Sequence, residues 1–219
     1  MVIVHPGYAI VGRRARFCTS SWLWPWALLC LLAAGCAALR EPAPVAMPEQ
    51  IWRQRIQQLL ALDSWSLTGR IALRADDQAW HASVHWLQRG DHYRIRIRGP
   101  LGVGAMELAG GPEGVVLRTS KEERFAADAP EELLREIAGW SMPVSGLRYW
   151  LLGVSEQHAA IDGLQLDGGG RLESLRQGGW AIDYLGYEQI EGVQLPAKLY
   201  LQNSKISARI VITNWVLES

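Results

Sequence analysis

Between Ser66 and Arg98 three successive segments alternate apolar and polar residues with a period of two. In Ser66–Arg74, Leu67, Gly69, Ile71 and Leu73 share one face. In Trp80–Gln88, Trp80, Ala82, Val84 and Trp86 share one face and His81, Ser83 and His85 the other. In His92–Arg98, Tyr93, Ile95 and Ile97 alternate with His92, Arg94, Arg96 and Arg98. Successive side chains of a strand point to opposite faces, so this pattern demands an antiparallel sheet with one apolar and one wet face. Gln88-Arg89-Gly90-Asp91 is turn-forming, which makes the second and third segments a hairpin. Charge along the third segment discourages pairing with foreign sheets.

The period-two pattern continues. Val103–Ala109 and Gly114–Thr119 are strands parted by Gly110-Gly111-Pro112, and 123–126 adds a short one. Further strands are expected at 164–166, 172–175, 181–184, 197–201 and Ile206–Val216; in the last, Ile206, Ala208, Ile210 and Ile212 share a side. Three helices punctuate them. Pro48–Leu62 carries Ile51, Trp52, Ile56, Leu59 and Leu60 at helical spacing, and packs on the domain rather than lying on a membrane, because its polar side has no lysine. Pro130–Ala138 opens with proline and two glutamates, and Ser145–Leu152 is expected to be capped by Ser145 and ended by Gly153. The sum is a mainly β chain of about ten or eleven antiparallel strands with three helices, without repeats or a second folded domain.

The first residues follow another logic. Arg13, Arg14 and Arg16 precede an apolar run from Phe17 to Ala34, broken only by Thr19, Ser20, Ser21 and Pro25. Small residues Ala33, Ala34 and Gly35 then lead to Cys36, the layout of a secretory signal. Leu32-Ala33-Ala34-Gly35-Cys36 resembles the bacterial lipobox, with its leucine one place early. Residues 1–35 are therefore expected to be removed. The lipobox resemblance implies S-diacylglycerol and an N-acyl chain on Cys36, and several chains on one cysteine would give a lasting anchor. The alanine- and proline-rich residues 36–48 form a tether, and 49–219 the domain. Cys18 and Cys30 leave with the signal, so the mature domain has no disulfide.

Composition excludes several functions. The chain has 22 basic and 22 acidic residues, and the signal takes three arginines and no acid with it, leaving a net charge of −3. That is no footprint for nucleic acid. His81 and His85 are four residues apart on an extended strand, too far to share a metal, and His92 and His158 have no ligand-spaced partner. Ser141, Ser145 and Ser155 lie in no nucleophile elbow, and Gly168-Gly169-Gly170 lacks the lysine of a phosphate loop. No enzyme, cofactor or metal is expected.

Short motifs then fall in a telling order: Trp-Arg-Gln at 52–54, Leu-Thr-Gly-Arg-Ile-Ala-Leu at 67–73, Tyr-Arg-Ile-Arg-Ile at 93–97 and Gly-Pro-Leu-Gly at 99–102. Met-Pro-Val at 142–144, Leu-Arg-Tyr-Trp-Leu-Leu-Gly at 147–153, Leu-Pro-Ala-Lys-Leu at 195–199 and Asn-Trp at 214–215 complete it. Over about 48–217 the chain resembles the LolB family of outer-membrane lipoprotein receptors. The resemblance implies an unclosed antiparallel half-barrel, with helices over its concave side and an apolar cavity for acyl chains. It also implies acceptance of acylated lipoproteins from the soluble periplasmic carrier LolA and their insertion among outer-membrane phospholipids, by a lipid-anchored monomer facing the periplasm. Ala37 after Cys36 agrees with release to the outer membrane by the family's sorting rules.

In that frame Pro100, Leu101 and Gly102 form a loop whose Leu101 enters the bilayer; on pattern alone a leucine folded back under the sheet edge is the favoured reading. The cavity is assigned to Trp80, Val84, Trp86, Ile95, Ile97, Met106, Leu108 and Leu117 of the sheet, faced by Leu134, Ile137, Leu147 and Trp150 of the helices. Each of these could also be plain core. Arg148 either fixes its helix to the sheet or is solvated. A purely structural lipoprotein, or one that binds other lipids, are the rival readings.

Overall fold

The computed structural model describes residues 47–75, 77–100, 104–139 and 141–218. Helix α1 (Pro48–Leu60) leads into β1 (Ser64–Ala75), β2 (Gln78–Arg89), β3 (His92–Arg98), β4 (Met106–Gly111), β5 (Gly114–Thr119) and β6 (Arg124–Ala127). Helices α2 (Pro130–Ala138) and α3 (Val144–Leu152) follow, then β7 (Ile161–Leu166), β8 (Leu172–Gln177), β9 (Trp180–Ile190), β10 (Val193–Gln202) and β11 (Ile206–Glu218). All eleven strands form one antiparallel sheet in the order β6-β5-β4-β3-β2-β1-β11-β10-β9-β8-β7. Six strands run outward from β1 and five run inward to β11, so the two ends of the domain pair at the centre. Strands β6 and β7 are its free edges, and the sheet is an open half-barrel.

The expected alternation holds in β1, where Trp65, Leu67 and Leu73 are buried. It fails in β11. Thr68 pairs with Asn214 but Gly69 with Ile212, so Thr213 is an extra residue. This bulge reverses the phase of the strand. Ile206, Ala208, Ile210 and Ile212 point inward as expected, but beyond the bulge Trp215 is buried and Val216 is 43% exposed. Opposite the bulge, a Cβ added to Gly69 would lie 2.5 Å from the Val211 carbonyl oxygen. Only glycine allows the two central strands to approach so closely.

Two local expectations change. Helix α3 begins at Val144, and Pro143 before it makes no side-chain cap. Ser145 is not the cap; its backbone N–H donates to Glu131 Oε1 at 2.9 Å, so a carboxylate from α2 supplies the acceptor. Gly153 ends the helix in the left-handed conformation, as expected. Strand β10 extends back to Val193 and tolerates Pro196 because its register with β9 shifts there.

Helix α1 packs on the domain through Trp52 and Leu59. Its Arg55 donates to the Gln194 carbonyl at 2.9 Å, while Arg171 donates to the Gln194 side chain at 2.9 Å. A Cβ at Gly170 (φ 66°) would lie 2.7 Å from Ile51 Cβ, so the β7–β8 turn meets this helix directly. None of the described helices is long and apolar enough to cross a membrane.

Candidate functional site: an apolar chamber

Between the inner face of the sheet and helices α2 and α3 lies a chamber of about 100 Å³. Every lining residue is apolar. Of the expected residues, Val84, Trp86, Ile95, Ile97, Met106, Leu108 and Leu117 line it from β2 to β5, and Leu134 and Leu147 from the helices. Leu67, Ile71, Leu73, Met142, Val144, Leu151 and Ile210 join them. Leu67, Ile71, Leu73 and Ile210 were legible as inward-facing, but which inward residues share one space depends on where the helices cross.

Trp80, Ile137 and Trp150 lie outside this lining. Trp80 shares the inner face of β2 but is 40% exposed, near the strand's start where β3 no longer flanks it. Ile137 is 37% exposed, on the last turn of α2. Trp150 is buried and turned toward β8: its Nε1 donates to Gln177 Oε1 at 3.0 Å, and its carbonyl accepts from the Tyr184 hydroxyl at 3.1 Å.

The chamber has a sealed end and a looser one. Trp65 packs on Trp86 at 5.8 Å between ring centroids and edge-on to Trp215 at 5.5 Å, which closes one end with broad rings. Trp86 Nε1 donates to Gln88 Oε1 and Trp215 Nε1 to the Pro196 carbonyl, both at 3.0 Å, so neither indole leaves an unpaired polar atom. At the other end Val84, Ile97 and Met106 form a cross-strand row and, with Ile71, are only half-buried. The chain leaves that row through Gly99 and exposed Pro100. Leu101 and Gly102 lie outside the described residues, as does Cys36. The loop nevertheless begins at the looser end of the chamber.

Polar groups sit at the margins. Arg148 reaches Asp91 in the β2–β3 turn at 3.2 Å and stacks over Tyr149 at 4.9 Å, so α3 and the hairpin touch through this pair. Burial, reinforced by Glu131, pushes the Tyr93 hydroxyl up to about 12, and it stays neutral. No group of His, Cys, Asp and Glu among the described residues could hold a metal ion.

An open antiparallel sheet with helices over an apolar space defines a LolA/LolB-like half-barrel. The structure of a LolA superfamily protein from Nitrosomonas europaea superposes with a TM-score of 0.51 at 11% identity, covering 80% of this chain and 94% of that one. The sequence profile described as outer membrane lipoprotein LolB matches residues 63–215. The outer-membrane lipoprotein LolB of Nitrosococcus oceani is 46% identical over 187 residues, 85% of this chain and 93% of that protein. That of Alkalilimnicola ehrlichii is 40% identical over 190 residues, 87% of this chain and 94% of the relative. The chain belongs to the LolB family. It is an outer-membrane lipoprotein with a periplasm-facing domain, a non-catalytic receptor in lipoprotein sorting.

Proposed function

We propose that this receptor takes the acyl chains of a lipoprotein directly from the soluble periplasmic carrier into its apolar chamber, then releases them beside the loop at Pro100-Leu101-Gly102. The observation that carries this reading is the chamber itself: its lining is wholly apolar, and its half-exposed end lies where that loop begins. At about 100 Å³ the space is smaller than the roughly 150 Å³ apolar cavity that admits a benzene ring. An acyl chain therefore enters only as α2 and α3 give way, and Met106 and Met142 supply adaptable walls. The direction of transfer follows from tighter chain binding here than in the carrier, because transfer is no more favourable than that difference in affinity.

Cys36, after removal of residues 1–35, bears S-diacylglycerol and an N-acyl chain, and residues 36–48 tether the monomeric domain 49–219 to the leaflet. Leu101 acts as a wedge. Burial of one leucine is worth roughly 1.5–3 kcal/mol, too little to hold a domain but enough to disturb lipid packing locally. The test is transfer of acylated cargo from the carrier to membranes, comparing the unmodified receptor with Leu101→Glu. Acceptance of cargo with impaired insertion is the expected result for the variant. Equal insertion would remove the role of Leu101, and failure of the unmodified receptor to accept cargo would overturn the chamber reading.

A further inference from the structure

The outer face of the sheet, away from the chamber, carries an unneutralised cationic groove beside the same loop. The register lays Lys198, Val211, Arg70, Ser83 and Arg98 in one row across five strands. The next row holds Tyr200, Arg209, Ala72 and His81. Small Ala72 and Ser83 leave a depression of about 330 Å³ bordered by Arg70, Arg98, Arg209 and His81, with Gly99 and Pro100 at its side and no carboxylate in its lining. Five other arginines are paired with carboxylates: Arg94 and Arg96 with Glu107, Arg89 with Glu218, Arg148 with Asp91 and Arg171 with Asp167. Arg70, Arg98 and Arg209 are exposed and make no ion pair within the described residues.

We propose that this groove docks on the membrane surface by binding the phosphate of lipid headgroups. Guanidinium groups match phosphate oxygens in pairs, and three of them around one depression make an anion site. Two features favour a lipid surface over a soluble acidic partner. The groove adjoins Pro100, so this rests on the membrane-facing reading of that loop. Exposed Trp80 lies next to His81 on the opposite face of the same strand, where an indole can rest at the headgroup level. Arg70 and Ile71 are consecutive in β1, one facing the groove and one lining the chamber. Headgroup contact on one face thus sets the chamber's looser end at the acyl boundary on the other. A chain with a mature net charge of −3 gains no general attraction to anionic lipid, so a local groove of this kind orients rather than anchors.

The test uses the processed, lipidated receptor in vesicles of phosphatidylethanolamine and phosphatidylglycerol, with a fluorophore on Ser207→Cys and a quencher on lipid headgroups. Quenching is expected in the otherwise unmodified chain. The triple variant Arg70→Gln, Arg98→Gln, Arg209→Gln should lower the docked fraction's equilibrium constant at least tenfold, since each charge near an anionic surface is worth about fivefold. High salt should reproduce the loss. Unchanged quenching in the triple variant overturns the proposal, and does so equally if that variant instead loses affinity for the soluble carrier, which would make the groove a protein contact. Leu101→Glu separates the two readings. Arginine-dependent quenching that persists while Leu101→Glu inserts cargo normally leaves the groove standing and removes the loop's role.

Discussion

Trp150 and Gln177 are joined inside the domain: the indole N–H of helix α3 donates to the side-chain carbonyl of strand β8 at 3.0 Å. The same Gln177 oxygen accepts from the Glu156 N–H at 2.9 Å, and its amide donates to the carbonyls of Glu156 and Ala159 at 2.9 and 2.8 Å. All four hydrogen-bonding positions of a fully buried glutamine are used. It therefore fixes both the end of α3 and the segment that leads to β7. Gln177→Met preserves volume but leaves buried donors and acceptors unpaired, each costing about 1–3 kcal/mol. A loss of about 3 kcal/mol or more is expected, and thermal unfolding should show Tm lower by roughly 6–12 °C. A change within 2 °C would contradict this account.

At the centre of the sheet, Gly69→Ala forces a methyl group to 2.5 Å from the Val211 carbonyl oxygen, a backbone atom with little room to retreat. Overpacking of this kind costs typically about 1–3 kcal/mol. Denaturant unfolding should reveal that loss, with amide exchange accelerated along β1 and β11 rather than at the sheet edges.

Val84 is half-buried in the looser end of the chamber, so Val84→Phe should narrow the entrance while the ring keeps an apolar environment. Cargo acceptance is expected to fall tenfold or more, with Tm within a few degrees of the unmodified receptor. Leu108→Ala, deeper in the lining, should do the reverse: it enlarges the space at a cost of about 2–5 kcal/mol. Transfer and melting measurements on the pair distinguish a working chamber from plain core.

The Asp167–Arg171 pair gives the domain an acid-sensitive point. Burial opposes ionisation of Asp167, but hydrogen bonds from the Arg171 backbone and guanidinium and from the Gly169 N–H outweigh it, so the folded pKa lies below the ordinary value. A depressed carboxylate contributes stability above its unfolded pKa of about 3.9, and that contribution disappears as pH falls through the folded value. Asp167→Asn should therefore be less stable than the unmodified domain at neutral pH, with the gap closing in acid below about pH 4. A gap that stays constant across that range would show that the ionised form is not what matters.

Much of this architecture was legible beforehand. Alternation in 66–98 placed Leu67, Val84, Trp86, Ile95 and Ile97 on one face without reference to anything distant, because a strand's side-chain period is a local property. Pro130 and Gly153 likewise marked helix ends by their own backbone preferences. The Thr213 bulge was not legible, since an unpaired residue exists only relative to a partner strand, and it alone sends Trp215 inward and Val216 outward. Nor could Ser145 reveal that Glu131, fourteen positions away in the chain, would supply the acceptor at the start of α3.

The sequence by itself determined an open-faced β domain, its helices and its family. Each follows from periodicity, spacing or a run of neighbouring residues. Only the tertiary structure decided which apolar residues share a chamber, that its looser end lies beside Pro100, and that Arg70, Arg98 and Arg209 from three separate strands gather without a carboxylate. Those are properties of register and of helices crossing a sheet, and they arise from contacts between residues far apart along the chain.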